Sequence, residues 1–159
     1  MENTSVELAK KSQKSVMRKL LELYAHDFSE FDGLDINEYG EYGYPYLDCY
    51  WNEKGRFPYL FFVNENIAGF GLIRIDEEGY FSVAEFFILR KYRKLGYGEF
   101  YAKMLFKKHE GNWRVSVLDC NQPAIHFWKK VIVDFSGGEY HVAKMKDWDG
   151  PVFEFKNGN

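Results

Sequence analysis

Hydrophobic residues recur at helical spacing in three parts of the chain. Over residues 11–28 an apolar side chain returns every three or four positions, which is the period of one helix face. Residues 97–108 show the same period, with lysines off that face. A third run begins near Pro123, where Asn121 or Gln122 can cap a helix and the proline occupies its first turn. The pattern therefore predicts three helices.

Most of the remaining periodic sequence is typical of strands. Two apolar runs flank a polar turn at residues 64–66, which predicts an antiparallel hairpin, and a second turn leads into a third strand. After the second helix, apolar and polar residues alternate as in a half-buried strand. The predicted strands cover residues 3–9, 59–63, 67–75, 80–89 and 113–118, with one or two closing strands between residues 134 and 155.

The composition indicates one ordered domain. The chain has 159 residues, of which 46% are hydrophobic and 19% aromatic, and this is enough to bury a single core. Helices and strands that alternate along the chain predict an α/β (α+β) domain layered around one sheet. Residues 29–55 are rich in Gly, Asp and Tyr and carry no long periodic run. We expect a loop with short helices there, and loops of this length tend to be functional.

The apolar runs and the cysteines argue against a membrane-spanning, secreted or metal-binding protein. No run approaches the roughly 18 apolar residues of a membrane span, and the first residues lack the apolar core of a signal peptide. We therefore expect a soluble, cytoplasmic protein with no membrane partner. Cys49 and Cys120 show no CxxC or Cys/His spacing, so we expect two reduced thiols, with neither a disulfide nor a metal site.

Charge is unevenly distributed, although the net charge is only −3. Residues 22–53 contain nine acids and no lysine or arginine, whereas residues 90–108 contain seven bases and one acid. Segments of opposite sign suggest two sites with opposite charge preference. The alternative is that both segments are solvated faces.

The densest positive charge lies in the stretch RKYRKLGYGEF, residues 90–100, between a predicted strand and a predicted helix. The start of a helix leaves backbone N–H groups unpaired and carries a positive partial charge. Gly96 and Gly98 would let a diphosphate approach the backbone. Arg93 and Lys94 would add mobile charge at the rim, so the turn is predicted to hold a phosphorylated ligand rather than to be a plain helix cap. A P-loop and a dinucleotide fold are disfavoured, because neither GxxxxGK(S/T) nor GxGxxG is present.

Two motifs give the chain a family resemblance. Arg93-x-x-Gly96-x-Gly98, directly after a strand and at the start of an amphipathic helix, resembles the R/Q-x-x-G-x-G/A motif of the GNAT superfamily of N-acetyltransferases. Residues 121–130, NQPAIHFWKK, resemble the downstream segment N-x-x-A-x-x-F/L-Y-x-K of that family. The order of predicted elements agrees as well, so the resemblance covers most of the chain. The layout is also similar to a group of predicted bacterial acetyltransferases, from which no substrate can be carried over.

The resemblance implies a GNAT fold for residues 1–159 as a single domain, with a mixed, mainly antiparallel sheet of six to seven strands flanked by helices. About residues 1–55 would form the acceptor side, and about residues 80–135 the acyl-CoA-binding core. The co-substrate would be acetyl-CoA or a close acyl-CoA, with no metal, and the acceptor would be an amine.

The resemblance also implies a set of cofactor-binding positions. The strand before the first motif would splay from its neighbour and pair its backbone with the pantetheine arm. The glycine turn would hold the pyrophosphate on its amides, and the helix after Asn121 would contact the thiol end. The implied positions are Phe87, Ile88 and Leu89 for pantetheine, Arg93, Lys94, Leu95, Gly96, Tyr97, Gly98 and Glu99 for the pyrophosphate, and Asn121, Phe127 and Trp128 for the thiol end.

The usual base of this family is a strand carboxylate, and the corresponding candidate is Glu85, at the start of the fourth strand. Apolar neighbours would raise its pKa toward a range that suits a base accepting a proton from the amine. The alternative is a strand-edge glutamate that faces solvent. A backbone N–H near Ile88 would polarise the thioester carbonyl.

Position 128 departs from the family pattern, which often has there a tyrosine that protonates the departing thiolate. The indole N–H of Trp128 is only a hydrogen-bond donor. This leaves three interpretations. Another tyrosine hydroxyl substitutes, or the thiolate leaves unaided because the pKa of its thiol is only about 8.5, or the protein binds CoA without catalysis. The second interpretation needs the fewest assumptions.

Cys120 and His126 lie near the same end and raise the question of a nucleophile pair. No Asp or Asn is spaced to orient the histidine toward the thiol. A helix-surface histidine and a strand-end cysteine are the favoured interpretation.

In this family the N-terminal helices and their loops form the acceptor wall, which here is the acidic, aromatic segment. Carboxylates beside aromatic faces suit a cationic amine through charge pairing and cation–π contact. We therefore expect a polyamine-like, aminoglycoside-like or lysine-type acceptor, bound with the help of Asp32, Asp35 and Glu38. The alternative is that the aromatic residues only pack the loop; they are Tyr39, Tyr42, Tyr44, Tyr46, Tyr50 and Trp51.

The leading hypothesis is an acyl-CoA-dependent N-acyltransferase that acts by direct attack of a primary amine on a small cationic molecule, a lysine or an N-terminus. The alternative is a non-catalytic GNAT-fold module that binds CoA or a protein. The replacement of the usual tyrosine by Trp128 supports this alternative. Nucleic acid is not expected as a partner, because the acidic segment would repel its phosphates. Strand edges near the C-terminus would allow a homodimer without requiring one.

Overall fold

The computed structural model describes residues 2–158, and a seven-stranded sheet forms its centre. Residues 1 and 159, the outer bounds of the predicted domain, lie outside the described residues. The strands are β1 (Thr4–Leu8), β2 (Arg56–Val63), β3 (Asn66–Ile75), β4 (Phe81–Ile88), β5 (Gly111–Ser116), β6 (Tyr140–Ala143) and β7 (Val152–Asn157). They lie in the order β1-β2-β3-β4-β5-β7-β6, and of these neighbours only β4 and β5 run parallel. The predicted mixed, mainly antiparallel sheet flanked by helices is confirmed.

Four helices accompany the sheet in the described part of the chain. α1 begins and ends a few residues later than predicted. Its end is set by Gly33, whose φ of 70° closes the helix in the left-handed conformation. The Gly33 amide donates to the Ser29 carbonyl at 2.9 Å. The helices are α1 (Lys14–Asp32), α2 (Cys49–Asn52), α3 (Tyr97–Lys108) and α4 (Gln122–Ser136), with short 3₁₀ turns at Lys11–Gln13 and Arg90–Tyr92.

The predicted hairpin of β2 and β3 is confirmed. Its turn residues, Asn64 and Glu65, have φ values of 49° and 68°. A two-residue hairpin turn that matches the twist of its strands requires positive φ at both central positions, and asparagine tolerates this better than most residues. β2 begins earlier than predicted, at Arg56, where it pairs with Arg74 of β3.

Helices cover both faces of the sheet. Successive residues of β2 point to opposite faces, so Leu60 packs in the cluster under α1 and Phe61 in the cluster under α3 and α4. Phe61 stacks on Tyr101 of α3, with ring centroids 4.4 Å apart and ring planes 3° from parallel. Gly71 permits this close approach, because a Cβ there would lie 2.7 Å from Leu105 of α3. A side chain at position 71 would therefore push α3 away from the sheet.

The parallel strands β4 and β5 pair only at their first residues. Their described pairing stops after Ser82 of β4 and Arg114 of β5. A bulge at Ala84 shifts the register of β4 against β3 and bends the strand at this point. The second half of β4 therefore diverges from β5, and the implied splay is confirmed.

Within residues 2–158, no helix combines the length and the hydropathy needed to cross a membrane. The same residues contain no group of three His, Cys, Asp or Glu side chains that could hold a metal ion. The division into an acceptor side over residues 1–55 and a core over residues 80–135 stays a prediction.

Candidate functional site

A cleft of about 680 Å³ opens where β4 diverges from β5. Its walls are the second half of β4, the turn before α3, the first half of α4 and the C-terminal half of α1. Most of the implied cofactor-binding residues line it, namely Phe87, Ile88, Arg93, Lys94, Gly96, Gly98, Glu99, Asn121, Phe127 and Trp128. Leu89, Leu95 and Tyr97 are not among the lining residues: Leu95 is exposed, whereas Tyr97 is buried in the core. The two sequence motifs thus meet around one cavity.

The turn before α3 presents a helix N-terminus to this cleft. Gly96 is the N-cap, with a φ of 88°, and Lys94 has a φ of 61°, which is uncommon outside glycine. The first hydrogen bond of α3 runs from the Phe100 amide to the Gly96 carbonyl at 3.1 Å, so the amides of residues 97–99 precede it. Unpaired amides and the helix dipole together stabilise an anion at such a place. Lys94 adds an exposed cation at the rim.

Gly98 serves helix packing as well as ligand access. A Cβ at this position would lie 3.1 Å from Cε1 of Phe127 and 3.7 Å from Cγ1 of Ile88. The missing side chain therefore lets α3 approach the phenylalanine of α4, at the point where the two motifs meet. The sequence indicated only the access role, because this contact joins two distant segments.

Arg93 is fixed in place, and its prediction as a mobile rim cation is wrong. Its Nε donates to the backbone carbonyl of Ile88 at 2.7 Å. Its guanidinium forms an ion pair with Asp27 of α1 and lies over the ring of Phe87, with Cζ 5.3 Å from the centroid. Arg90 binds the other oxygen of Asp27 at 2.9 Å. The two arginines therefore tie α1 to the turn before α3.

Asp27 links the acidic segment to the basic one. Burial by itself would raise the pKa of this carboxyl, but hydrogen bonds and charge from Arg93 and Arg90 outweigh burial and hold its pKa below the ordinary value. Two other acids of the segment pair with cations of α1. The acidic and basic segments therefore meet at Asp27, and the two sites of opposite charge preference stay a prediction.

Glu85 lies in the middle of β4, not at the start of the strand as predicted. The Tyr24 hydroxyl donates to Oε1 at 3.0 Å, and the Tyr44 hydroxyl donates to Oε2 at 3.1 Å. Burial raises the pKa of Glu85, and the two hydroxyls, which lower it, do not cancel this rise. The expected direction of the shift is confirmed, and the solvent-facing alternative is excluded.

Tyr24 lines the cleft, whereas Glu85 lies behind it and is not among the lining residues. The tyrosine ring stacks on Phe28 at 5.7 Å and meets Phe87 edge-on at 5.9 Å. Burial, followed by the charge of Glu85, raises the pKa of Tyr24 well above its ordinary value, and the same causes raise that of Tyr44. The sequence marked Tyr24 only as an apolar helix position, because periodicity gives no sign of a hydroxyl partner on another strand.

Trp128 is part of the core and only 7% exposed. It meets Phe86 and Phe127 edge-on, each at a centroid distance of 5.0 Å, and borders the cleft. Of the cleft-lining side chains in the described chain, Tyr24 is the only tyrosine. A hydroxyl that replaces the usual one at position 128 would therefore have to come from α1.

Cys120 and His126 do not line the cleft. His126 is exposed on α4, and the exposed Cys120 thiol lies 3.7 Å from the Phe31 carbonyl. Both Cys49 and Cys120 are free thiols. The surface histidine is confirmed, whereas the strand-end position of Cys120 is wrong, because β5 ends at Ser116 and Cys120 lies in the turn before α4.

The aromatic residues of the acidic segment divide into two groups. Tyr50 is buried, and the Trp51 indole donates to the Ala9 carbonyl at 3.0 Å, so these two pack the loop as the alternative held. Tyr39 and Tyr46 are exposed. Only part of the predicted aromatic wall is therefore available to an acceptor.

The three carboxylates predicted to bind the amine do not line the cleft. Asp32, Asp35 and Glu38 are all exposed. Asp35 borders a second depression of about 620 Å³, whereas the acids of α1 that line the main cleft are Asp27 and Glu30. The three predicted carboxylates are therefore not walls of the main cleft.

The sequence model of the acetyltransferase (GNAT) family matches residues 17–132. By sequence, no curated protein matches the chain. Among solved structures, an acetyltransferase from Thermus thermophilus is similar, with a TM-score of 0.74, 9% identity and 97% of each chain covered.

Two further solved structures have known acceptors. Spermidine N-acetyltransferase from Vibrio cholerae, in complex with CoA and spermine, has a TM-score of 0.69 and 7% identity, over 97% of this chain and 95% of that one. The ribosomal-protein-S18-alanine N-acetyltransferase from Escherichia coli has a TM-score of 0.65 and 11% identity, over 97% of this chain and 94% of that one. At such identities the likeness shows a shared fold.

Proposed function

The chain belongs to the GNAT family of acetyltransferases, and we propose that it transfers the acetyl group of acetyl-CoA to a primary amine by direct attack. The amine is carried by a small cationic molecule, a lysine side chain or a protein N-terminus. One observation carries the proposal: a single cleft is bordered by the N-terminus of α3 and by Tyr24, which is bonded to Glu85.

The walls of the cleft suit acetyl-CoA in three places. The amides of residues 97–99 and the Lys94 ammonium suit a pyrophosphate. The backbone of residues 87–89 lies where β4 has left β5, so an extended pantetheine can pair with it. Phe127 and Trp128 give the thiol end an apolar surface. The similar protein from Vibrio cholerae holds CoA, which supports this assignment.

We assign Glu85 as the general base. A primary amine must lose a proton as the C–N bond forms, and a base whose pKa is raised toward neutrality accepts it more readily. Burial raises the pKa of Glu85, and its two tyrosine partners hold the carboxylate in one orientation. The thiolate leaves unaided, since a thiol with a pKa of about 8.5 is a fair leaving group and Trp128 offers no acid.

The acceptor is an amine that reaches the cleft from the acidic side. Glu30 at the rim and the exposed carboxylates of the following loop attract a cation. The similar structures include one enzyme named for spermidine, a small cationic molecule, and one named for an alanine of a ribosomal protein. Small-molecule and protein amines are thus both represented among them. The cytoplasmic location and the homodimer remain predictions.

Calorimetric titration with acetyl-CoA tests the co-substrate site. Lys94→Glu should weaken binding by roughly tenfold or more at low salt, because it replaces an attractive charge with a repulsive one near the phosphates. Lys91→Glu is the matched control, because Lys91 is also exposed but does not line the cleft. It should change binding by less than about threefold. A wild-type protein that does not bind acetyl-CoA would contradict the proposal.

An amine panel then tests the transfer. The panel contains spermidine, kanamycin, a lysine-containing peptide and a peptide with an N-terminal alanine, and the measured quantity is release of the CoA thiol. At least one amine should accelerate release above hydrolysis in water. Tight acetyl-CoA binding with no acceleration by any amine would favour the non-catalytic module that Trp128 suggests.

A further inference from the structure

Tyr24 stands between the cleft and the carboxylate assigned as the base. Its side chain lines the cleft, and its hydroxyl donates to Glu85 Oε1 at 3.0 Å. Glu85 itself is not among the residues that line the cleft. An amine in the cleft therefore meets the tyrosine before it can meet the carboxylate.

We propose that Tyr24 relays the proton of the attacking amine to Glu85, so that the base acts through a phenol hydroxyl. This inference rests on the proposed acetyl transfer and assigns a further catalytic residue to it. The usual arrangement, in which the carboxylate takes the proton directly, would require the amine to reach past Tyr24, because Glu85 does not line the cleft.

The hydrogen bonds around the carboxylate support a relay through Tyr24 rather than Tyr44. Each tyrosine occupies one oxygen of Glu85, at 3.0 Å and 3.1 Å. Of the two, only Tyr24 is among the cleft-lining residues. Tyr44 therefore orients the carboxylate from behind, whereas Tyr24 offers its hydroxyl oxygen to the reacting amine.

The ring of Tyr24 is held in this position by its neighbours. It stacks on Phe28 at 5.7 Å and meets Phe70 and Phe87 edge-on at 5.8 Å and 5.9 Å. Packing on three sides restricts rotation of the ring, so the hydroxyl stays aligned with Glu85. A phenylalanine at position 24 would keep these contacts and remove only the hydroxyl.

The step balances without any further reactant. The amine nitrogen forms a bond to the thioester carbon, and the carbonyl π electrons move to oxygen. The nitrogen gives its extra proton to the Tyr24 oxygen as the tyrosine gives its own proton to Glu85. The C–S bond then breaks as the carbonyl reforms, and the thiolate leaves with the electron pair. Glu85 returns its proton to solvent through Tyr24, and the thiolate takes a proton from solvent.

The transfer through Tyr24 must be concerted. Burial and the charge of Glu85 raise the pKa of the phenol well above its ordinary value, so a free tyrosinate is disfavoured. A hydroxyl that receives one proton while it releases another never carries that charge. The same environment that excludes a stepwise path is thus compatible with a relay.

The test compares Tyr24→Phe with Tyr44→Phe. Each variant removes one hydrogen bond to Glu85, and only the first changes a residue that lines the cleft. Single-turnover rates are measured from pH 5 to 9 with the best acceptor among spermidine, kanamycin and the two peptides. If no amine reacts, hydrolysis of acetyl-CoA is used, since water must also lose a proton. Calorimetric binding of acetyl-CoA shows that both variants are folded.

A relay predicts different pH profiles for the two variants. Both hydroxyls lower the pKa of Glu85, so loss of either should move the acid limb of the profile to higher pH. Tyr24→Phe should also lower the rate on the alkaline plateau by about 100-fold or more, as for a lost general acid–base group. Tyr44→Phe should lower the plateau by less than about tenfold. In mixtures of H₂O and D₂O, the wild-type rate should depend on the deuterium fraction with curvature, because two protons move together.

The outcomes separate the relay from the proposed function. Equal plateaus for the two variants, with the wild type active, would overturn the relay and leave acetyl transfer by Glu85 in place. A wild type that binds acetyl-CoA but transfers to no amine would overturn the proposed function, and one that also fails to hydrolyse acetyl-CoA would overturn the relay with it. A selective loss in Tyr24→Phe supports both.

Discussion

Asp27 in α1 is bound to Arg93 in the turn that precedes α3. Arg90 holds the second carboxylate oxygen at 2.9 Å, and Arg93 also donates to the Ile88 carbonyl at 2.7 Å. Ile88 is the last residue of β4. A single carboxylate therefore helps to position three walls of the cleft: α1, β4 and the turn before α3.

Asp27→Asn should lower the free energy of unfolding by about 1 kcal/mol at pH 7, because charge-assisted hydrogen bonds to two arginines are weakened. The pKa of Asp27 is depressed in the folded protein, so its stabilisation is present above the ordinary value of about 3.9 and is lost as pH falls through the folded pKa. Urea unfolding of both proteins should therefore converge in acid. Asp134→Asn, which removes an exposed partner of Lys103, is the control and should leave stability unchanged.

Glu85→Gln should lower kcat by about 10²- to 10⁴-fold and leave acetyl-CoA binding intact, because it removes the base behind the cleft. Stability provides a second readout. The pKa of Glu85 is raised, so the ionised group makes the fold less stable once the pH rises through that pKa. The variant should therefore melt no lower than the wild type at pH 8. Normal kcat in this variant would exclude Glu85 as the base.

Gly98→Val should destabilise the protein by about 1–3 kcal/mol, because the added atoms crowd a packed contact. A Cβ there would already lie 3.1 Å from the Phe127 ring. Phe127→Ala in the same chain should recover part of this loss, so the two substitutions should be non-additive in urea unfolding. Strict additivity would show that Gly98 does not act through Phe127.

His109 should make stability depend on pH. It lies 4.4 Å from the Phe57 ring and 4.8 Å from the Phe81 ring, and burial, followed by the charge of Lys108, lowers its pKa. The stabilisation is therefore present above the ordinary histidine value of about 6.5 and is lost as pH falls through the folded pKa. His109→Phe should flatten the melting temperature between pH 7 and 5. The exposed His126→Gln serves as the control and should keep the wild-type slope.

Replacing Asp32, Asp35 and Glu38 together by Asn, Asn and Gln should raise the KM for a cationic acceptor. The three carboxylates are exposed and do not line the cleft, so they would act through a screened field, and a change of about three- to tenfold at low salt is expected. The effect should fade at high salt, and the KM for acetyl-CoA should not rise. An unchanged acceptor KM would leave these acids without a role in binding.

The elements of this fold could be predicted because each depends on neighbours in sequence. The helical period placed α3 at residues 97–108, where the structure has it, and Asn121 caps α4 by accepting from the Ala124 amide at 3.2 Å. The hairpin turn at Asn64 followed from local turn chemistry. Most of the implied cofactor-binding residues likewise lie in two motifs whose spacing is visible along the chain, whereas the residues that α1 contributes to the cleft lie outside both motifs.

The boundaries were less well determined. α1 runs past its predicted end to Gly33, because the apolar period fades on the exposed side of the helix while its hydrogen bonds continue. The mobility assigned to Arg93 was wrong for a related reason, since a cation in a charged stretch gives no sign of a carboxylate elsewhere in the chain.

The sequence by itself was enough to infer the types of element, the central sheet and the glycine turn. It also indicated Glu85 as a carboxylate with apolar neighbours on a strand. Which groups touch depends instead on the folded chain: Asp27 with Arg93, Gly98 with Phe127, and Tyr24 with Glu85. Periodicity reports burial of one segment at a time, whereas each of these contacts depends on how a helix docks on a sheet or on another helix. That docking follows from the packing of both sheet faces and from the divergence of β4 and β5, which no local pattern encodes.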